Sequence, residues 1–413
     1  MRTLTGMRRD PRLVQLCAAA VSYFAFTGAA AAQPQWQDVI RNLRHPNAQT
    51  RLEAVERLGR ANYVAAVDPL APLVRDPDDR VQAAAIDAEL TFFLSDRLSD
   101  RRILGVGGSK SRAQLAFEGG PLLRTAVPAP PSLVDVLIAA IRDENPRVRF
   151  DAVHALGFIA EAPLPPEQLR ALADEMDHYD PVIRAATARV LGRLRQRAAG
   201  DRLLVAVDDS SESVRLFAVE ALGFVREDRA LPKVRDLIAR AGKRNVDGLT
   251  LTLARIGAPD DLAYFKAHLT DRSAGVRRAA AEGIGRIGDR ASVGAIDQLK
   301  ATDRVPAVRL AATFALHRLG RVQSHEIAAM LADDERTAQA REYLFELGPD
   351  ALPGVLEAFK VATLSRHRAD LVQAIGYLGS AADLPMVQTL LRDPDERVQR
   401  AANAAVIRLK RAS

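Results

Sequence analysis

Few side chains in this 413-residue sequence stand at spacings that do chemistry. The segment LGVGGSKS (104–111) comes nearest to a phosphate cradle. Such a loop needs Lys and Ser/Thr directly after its last glycine, at the opening of a helix. Here Ser109 separates Gly108 from Lys110, so the segment reads as a glycine-rich loop. Seven histidines are scattered, at 45, 154, 178, 268, 317, 325 and 367. No H-E-x-x-H and no paired metal-ligand spacing occurs. His154 and His317 fall on helical apolar patterns and read as packed imidazoles. Cys17 is the single cysteine and lies in the N-terminal apolar stretch, so the rest of the chain has no thiolate ligand or nucleophile. No G-x-S-x-G elbow is present. The expectation is no catalytic residue, no metal, no cofactor and no enzymatic activity.

What recurs instead is a set of acids and arginines. Asp143, Asp180, Asp209, Asp271, Asp303 and Asp393 each stand ahead of a Val/Ile-Arg element or its degenerate copy. This reads as an Asp–Arg ladder joining neighbouring units and capping helices. A second series follows a recurring glycine: Arg60, Phe158, Arg193, Phe224, Arg286, Arg318, Tyr377 and Arg408. Equivalent positions of a repeat stack in space. The series therefore predicts a rim of cations and aromatics, residue types that anchor interfaces and that also satisfy one another by cation–π contact. The first seven are the candidate partner-binding residues.

The elements that position these residues are copies of one unit. NPRVRFDAVHALG ends at Gly157, DPVIRAATARVLG at Gly192, SESVRLFAVEALG at Gly223 and SAGVRRAAAEGIG at Gly285. Each runs Val/Ile-Arg, apolar residues at helical spacing, then Gly. Arg51–Gly59 keeps that spacing; Arg309–His317, Ala340–Gly348, Arg368–Gly376 and Gln399–Ile407 are weaker copies. Degenerate ones begin at Gln82 and run Leu249–Gly257. The period is about 31 residues. Asp or Pro supplies each helix start, the glycine is expected to close it in a left-handed cap, and a second helix such as 229–240 follows. One such pair cannot bury both faces, whereas stacked pairs do. The fold class is all-α: an α-solenoid of about eleven short helix pairs over residues 33–413. An irregular Gly/Pro-rich insertion at about 95–131 interrupts it. Hydrophobic residues at 48% with only 5% aromatics agree with Ala/Leu-rich helices.

On these segments the chain resembles HEAT-repeat proteins, in particular the short HEAT-like repeats of phycobilin lyases. With its N-terminal segment it is similar to bacterial secreted HEAT-repeat proteins. The resemblance implies the solenoid and leaves function open, because such folds host many roles. Three classes follow. The first is a protein- or peptide-binding scaffold. The second is a tetrapyrrole or phycobilin lyase-like enzyme or chaperone. The third is a nucleic-acid-binding protein like the HEAT-like alkyl-base glycosylases. A HEAT-like hydroxylase family holds two irons through several His-Glu pairs; here His325-Glu326 stands alone, which argues against that chemistry.

Residues 1–32 read as an export signal: MRTLTGMRRDPR, an uncharged apolar stretch, and Ala30-Ala31-Ala32 before Gln33. The alternative is an uncleaved membrane anchor, since the run is about 20 residues long. Cleavage would remove Cys17 and half of the formal +6 charge. The remaining charge is mild, so no nucleic-acid partner is expected, and helices such as 229–240 mix both signs. The scaffold class is favoured: an exported, periplasmic or extracellular protein that binds a protein or peptide along its repeats. The insertion is expected to add a second contact element.

Overall fold

A computed structural model describes residues 33–94, 110–120, 123–125, 129–160, 164–241, 245–321 and 324–411. Cys17, the export signal and residues 104–109 of the glycine-rich loop lie outside them. Among the described residues every regular element is helical, apart from an isolated bridge between Leu94 and Arg124. The chain is an α-solenoid with two layers. The inner layer consists of α1 (Ala48–Ala61), α2 (Asp79–Phe93), α3 (Pro146–Ile159), α4 (Pro181–Arg193), α5 (Glu212–Val225) and α6 (Val246–Ile256). It continues with α7 (Ala274–Ile287), α8 (Pro306–Arg318), α9 (Thr337–Leu347), α10 (Ser365–Leu378) and α11 (Glu396–Arg411). Shorter outer helices alternate with these, often opened by a 3₁₀ turn, for example Leu231–Arg240 after α5. A helix at Gln33–Asn42 covers the first pair; its Trp36 ring stacks on Tyr63 at 5.0 Å.

Local chemistry accounts for these boundaries. Asn47, Asp78, Asn145 and Asp180 sit in extended backbone, and their side chains accept hydrogen bonds from the first amides of α1, α2, α3 and α4. Pro146 and Pro181 occupy the first helical position, where no amide hydrogen is needed. Within each inner helix the apolar positions are buried against both neighbours, as with Ile183, Ala186, Val190 and Leu191 of α4.

The Asp–Arg ladder is present in part. Among the described residues Asp143 accepts from Gln82 at 2.7 Å instead of from an arginine, because Gln82 stands where other copies have Arg, and the Asp271 carboxylate accepts from the Ser273 amide. Arg51 forks onto Asp76 at 2.7 and 2.6 Å, Arg184 onto Asp209 at 2.8 and 2.8 Å, and Arg277 onto Asp303 at 2.7 and 3.1 Å. Arg149 meets Asp180 at 3.0 Å and Arg368 meets Asp393 at 2.7 Å. Each of these acids belongs to the next repeat. The same arginine also holds its own loop: Arg184 donates to the carbonyls of His178 and Tyr179, and Arg277 to those of Asp271 and Arg272. The ladder is therefore a strapping device of charge-assisted bonds, bidentate at Arg51, Arg184 and Arg277 and single at Arg149 and Arg368. The hydrogen bond from Arg277 holds the Asp303 carboxyl below its ordinary range, and Arg184 does the same for Asp209.

The recurring glycine has a different role from the expected cap. Gly192 and Gly285 lie inside α4 and α7, facing the next inner helix. A Cβ on Gly192 would stand 2.5 Å from Cα of Ala221, and one on Gly285 would stand 2.7 Å from Cα of Ala315. The glycine thus sets how closely two inner helices approach. The glycines that mark the Leu249–Gly257 and Ala340–Gly348 copies instead end the helix, at Gly257 (φ 73°) and Gly348 (φ 62°).

Among its described residues the insertion holds a helix that the Gly/Pro content hides. Arg112–Gly119 is N-capped by Ser111 and buries Ala113, Ala116 and Phe117. These three have helical spacing in the sequence. The helix packs on α2 and α3, while α2 and α3 also contact each other, so the array continues across the interruption.

One buried acid works against stability. Glu89 of α2 is fully buried, and neither carboxylate oxygen has a hydrogen-bond partner among the described residues. Burial, then the nearby Asp68, pushes its carboxyl well above the usual value. Folding therefore favours its neutral form, and its presence costs more as pH rises above the unfolded value near ~4.3. Glu89→Leu is expected to raise stability by ~1–3 kcal/mol near neutral pH. The gain should shrink towards about pH 4. Urea unfolding across that range checks this.

Candidate functional site

The inner layer is where distant repeats meet. On α4 to α7 the rim positions recur at one spacing: Arg193, Phe224, Arg255 and Arg286. They interleave. Arg193 lies over the Phe224 ring at 4.9 Å, and Arg255 lies over the same ring at 3.8 Å. Further along, Arg286 covers Phe314 at 5.2 Å and Arg408 covers Tyr377 at 3.7 Å. The predicted stack of cations and aromatics is thus a physical row.

Arg255 was missing from the predicted series. The sequence reading anchored this copy on Gly257. Packing sets a different register: a Cβ on Gly223 would meet Thr252, which leaves Ala254 at the position of the recurring glycine and Arg255 on the rim.

Helix α9 then closes on this row. Its Glu342 accepts from Arg255 at 2.7 Å, and its Glu346 takes both arms of Arg286 at 2.8 and 2.8 Å. Glu346 also meets Arg226 at 3.2 Å. Beneath them Tyr343 stacks on Phe314 at 4.3 Å and its hydroxyl donates to Glu282 at 2.5 Å. Glu282 in turn binds Arg278 at 2.8 Å and Arg286 at 2.9 Å. Where α4 meets α5 and α7 meets α8 through glycine and alanine, α8 and α9 meet through two large rings.

The charges in this cluster are strongly coupled. Burial alone would raise Glu342, but the fields of Arg255, Arg193 and Arg278 hold it down to about 2. Glu282 and Glu346 are likewise lowered against burial, by Arg278 and Arg286 and by the hydrogen bond from Arg286 respectively. Tyr343 is raised well above the phenol range by burial and by Glu282. All three glutamates are therefore anions at neutral pH, and the cluster is built to hold arginines.

The predicted rim residues divide accordingly. Phe158 is buried. With it, Arg193, Phe224 and Tyr377 line a cavity of about 200 Å³ between α3 to α5 on one side and α9 and α10 on the other. Arg286 is locked in the glutamate cluster. Arg60 is exposed with a loose 3.6 Å contact to Glu56. Arg318 is exposed and donates from Nε to the carbonyl of Gly285 at 3.3 Å. Arg124 of the insertion donates to the carbonyls of Ile159 and Ala160, and its own carbonyl accepts from Tyr377 and Arg408. The insertion thereby bridges the start and the end of the inner layer.

The histidines read as structural. His154 is buried between Phe117 and Phe150, with ring centroids 5.4 and 4.3 Å away, and pairs with the Phe150 carbonyl at 2.8 Å. Burial lowers its pKa to about 4. Among the described residues no group of three or more His, Cys, Asp or Glu is placed to hold a metal ion. No helix among them is long and apolar enough to cross a membrane.

Stacked helix pairs with this ladder define a HEAT-type solenoid. Family models agree: residues 169–254 match HEAT repeats, and residues 276–302 match the PBS lyase HEAT-like repeat. The chain is thus built of HEAT repeats of the short kind. Among solved structures it is similar to an engineered protein at 18% identity, covering 92% of this chain and 99% of that one, with a TM-score of 0.40. It is also similar to the karyopherin Kap121p bound to the extreme C-terminus of the protein phosphatase Cdc14p, at 15% identity and TM-score 0.36. That match covers 90% of this chain and 40% of the karyopherin. The complex of CpcE and CpcF of phycocyanin lyase from Nostoc sp. PCC7120 aligns at 16% identity over 78% of this chain and 98% of that chain, with TM-score 0.32. Comparison with curated proteins returned no match.

Proposed function

We propose that the chain is a non-enzymatic interaction scaffold that holds an acidic segment of a protein or peptide partner on its arginine rim. One observation carries this reading. Inside the molecule the rim already holds an acidic helix, with Glu342 and Glu346 of α9 seated on Arg255 and Arg286. Bidentate arginine–carboxylate pairing is specific in geometry and suits a repeated surface. Arg60 and Arg318 carry the same chemistry at exposed positions. A partner is expected to engage there, while α9 keeps the centre of the row. The export signal read in residues 1–32 supports a location outside the cytoplasm. No cofactor is required, and the mild net charge does not favour nucleic acid.

The test is affinity capture from the source cells with the wild-type chain and with an Arg60→Glu, Arg318→Glu double variant. Both residues are exposed, so the variant should fold as the wild type does, which circular dichroism verifies. The expected result is a partner that the wild type retains, that salt releases and that the variant loses. A partner held equally by both chains, or the absence of any salt-sensitive partner, overturns the rim reading.

A further inference from the structure

The cavity of about 200 Å³ in the inner layer has an unbalanced lining. Its walls are flat and apolar, with Phe117 from the insertion helix, Phe224 from α5 and Phe345 from α9. Arg124, Arg193, Arg195 and Arg341 also line it, with Glu118 and Glu342. Arg124 donates to the carbonyls of Ile159 and Ala160, and Arg341 to Asp370. That leaves Arg193, at the end of α4, and Arg195, two residues on. Arg193 rests on the rings of Phe224 at 4.9 Å and Phe117 at 5.9 Å. Arg195 rests on Phe345 at 5.3 Å.

Neither guanidinium has an acid partner or a hydrogen-bond acceptor among the described residues, and Nε of Arg193 is buried without one. The nearby acids are committed elsewhere. Glu342 pairs with Arg255 at 2.7 Å, and Glu118 pairs with Lys110 at 2.7 Å and Arg189 at 3.3 Å. Burial accordingly pulls the Arg193 pKa down, against the opposing field of Glu342. Arg193 is half-buried and Arg195 exposed, and the buried Nε–H of Arg193 without an acceptor is costly to the empty protein. The more deeply buried Arg286 and Arg255 of the neighbouring cluster each have a carboxylate.

We propose that this cavity is a binding site for a small aromatic carboxylate. The acid group supplies the acceptor that Arg193 and Arg195 lack, through the fork geometry that guanidinium favours. The ring lies between the phenylalanine faces. The volume is below that of drug-sized pockets, so the ligand is compact, with one or two rings. Apolar walls favour a monoanion over a more heavily hydrated phosphate dianion. The site is separate from Arg60 and Arg318, so its failure would leave the scaffold reading standing.

The experiment is calorimetry and thermal unfolding of the full chain with benzoate, 3-phenylpropionate and indole-3-acetate, with 3-phenylpropanol as the neutral control. At least one acid is expected to bind and raise the melting temperature, and the alcohol is not. Arg193→Gln should weaken binding by ~10-fold or more. The same substitution should leave the unliganded protein as stable as the wild type or more so, because a buried donor without an acceptor is gone. A purely structural arginine would instead lower stability when replaced. Arg195→Gln, at the cavity mouth, should weaken binding as well, and it decides the matter if the Arg193 variant fails to fold. Binding of none of the acids, equal binding of acid and alcohol, or unchanged affinity in the folded variants would overturn the proposal.

Discussion

Replacing Arg286 with alanine is expected to destabilise the protein by ~3 kcal/mol, at the lower end of the cost of breaking a buried ion pair. Its side chain is 4% exposed and serves two acids at once, Glu282 at 2.9 Å and Glu346 at 2.8 Å. Both acids are buried. After truncation Glu282 keeps Arg278 and Glu346 keeps Arg226, which limits the loss. Phe314 loses the guanidinium above its ring as well. Arg286→Lys should fall between, because a single ammonium cannot fork onto Glu346 while also reaching Glu282.

The effect depends on pH in a stated direction. Glu282, Glu342 and Glu346 have folded pKa values below the ordinary glutamate value. Groups of this kind contribute stability above the unfolded value near ~4.3, and that stability is lost as pH falls through the depressed folded values. The wild type should therefore lose stability as pH falls below ~4, the Glu342 part of it down to about 2. The gap between wild type and Arg286→Ala should narrow as pH falls below ~4 through the depressed values of Glu282 and Glu346. Urea unfolding followed by circular dichroism at several pH values measures both. A gap that stays constant into acid would mean that the glutamates are not anions held by arginine.

The second large effect is expected at Gly192. A Cβ there would stand 2.5 Å from Cα and 2.7 Å from Cβ of Ala221, so α4 and α5 must separate to admit even alanine. Gly192→Ala is expected to cost ~1–3 kcal/mol, and Gly192→Leu more. In a repeat array each unit is stabilised chiefly by its neighbours, so forcing one junction apart weakens the coupling between its two sides. Broadened or two-step unfolding in Gly192→Leu is the expected signature. Gly248 is the internal control. It lies in α6 with nothing within 4 Å of an added Cβ, so Gly248→Ala should be stabilising by ~0.5–1 kcal/mol through backbone entropy alone. Equal behaviour of the two substitutions would show that α4 and α5 do not approach as described.

These two predictions rest on features that were legible in the sequence to different degrees. The ladder was readable because Asp and Arg recur at short, regular separations and each rung joins adjacent repeats. The glycine was readable as a repeat mark, but its purpose was not. A small residue near a helix end serves as a left-handed cap or as a site of close approach, and only the packing partner separates the two. The rim was seen at Arg193, Phe224 and Arg286, yet Arg255 was lost to an anchor three residues too late. The constant spacing from Arg193 to Phe224, carried forward once more, lands on Arg255 and would have restored it.

The closure by α9 left no such mark. Arg255 and Glu342 are 87 residues apart, and Arg226 and Glu346 are 120 apart. Periodicity within one repeat says nothing about which distant repeat curls onto it. The one available signal was the weakness of the Ala340–Gly348 copy, in which Tyr343, Glu342 and Glu346 replace the small and apolar residues of the stronger copies. A repeat that breaks the shared pattern is the place where a solenoid departs from simple stacking. Here the departure fills the inner face and leaves a cavity beside it.

The central claim is that α9 docks on the inner rim of α5 to α7 and neutralises it. A double-mutant cycle on Arg255→Met and Glu342→Gln addresses this most directly, because the pair meets at 2.7 Å only if the array closes on itself. Docking predicts that the double variant loses less stability than the two single losses combined, with a coupling of ~1 kcal/mol or more. Additivity to within ~0.5 kcal/mol, as for residues that never meet, would contradict it.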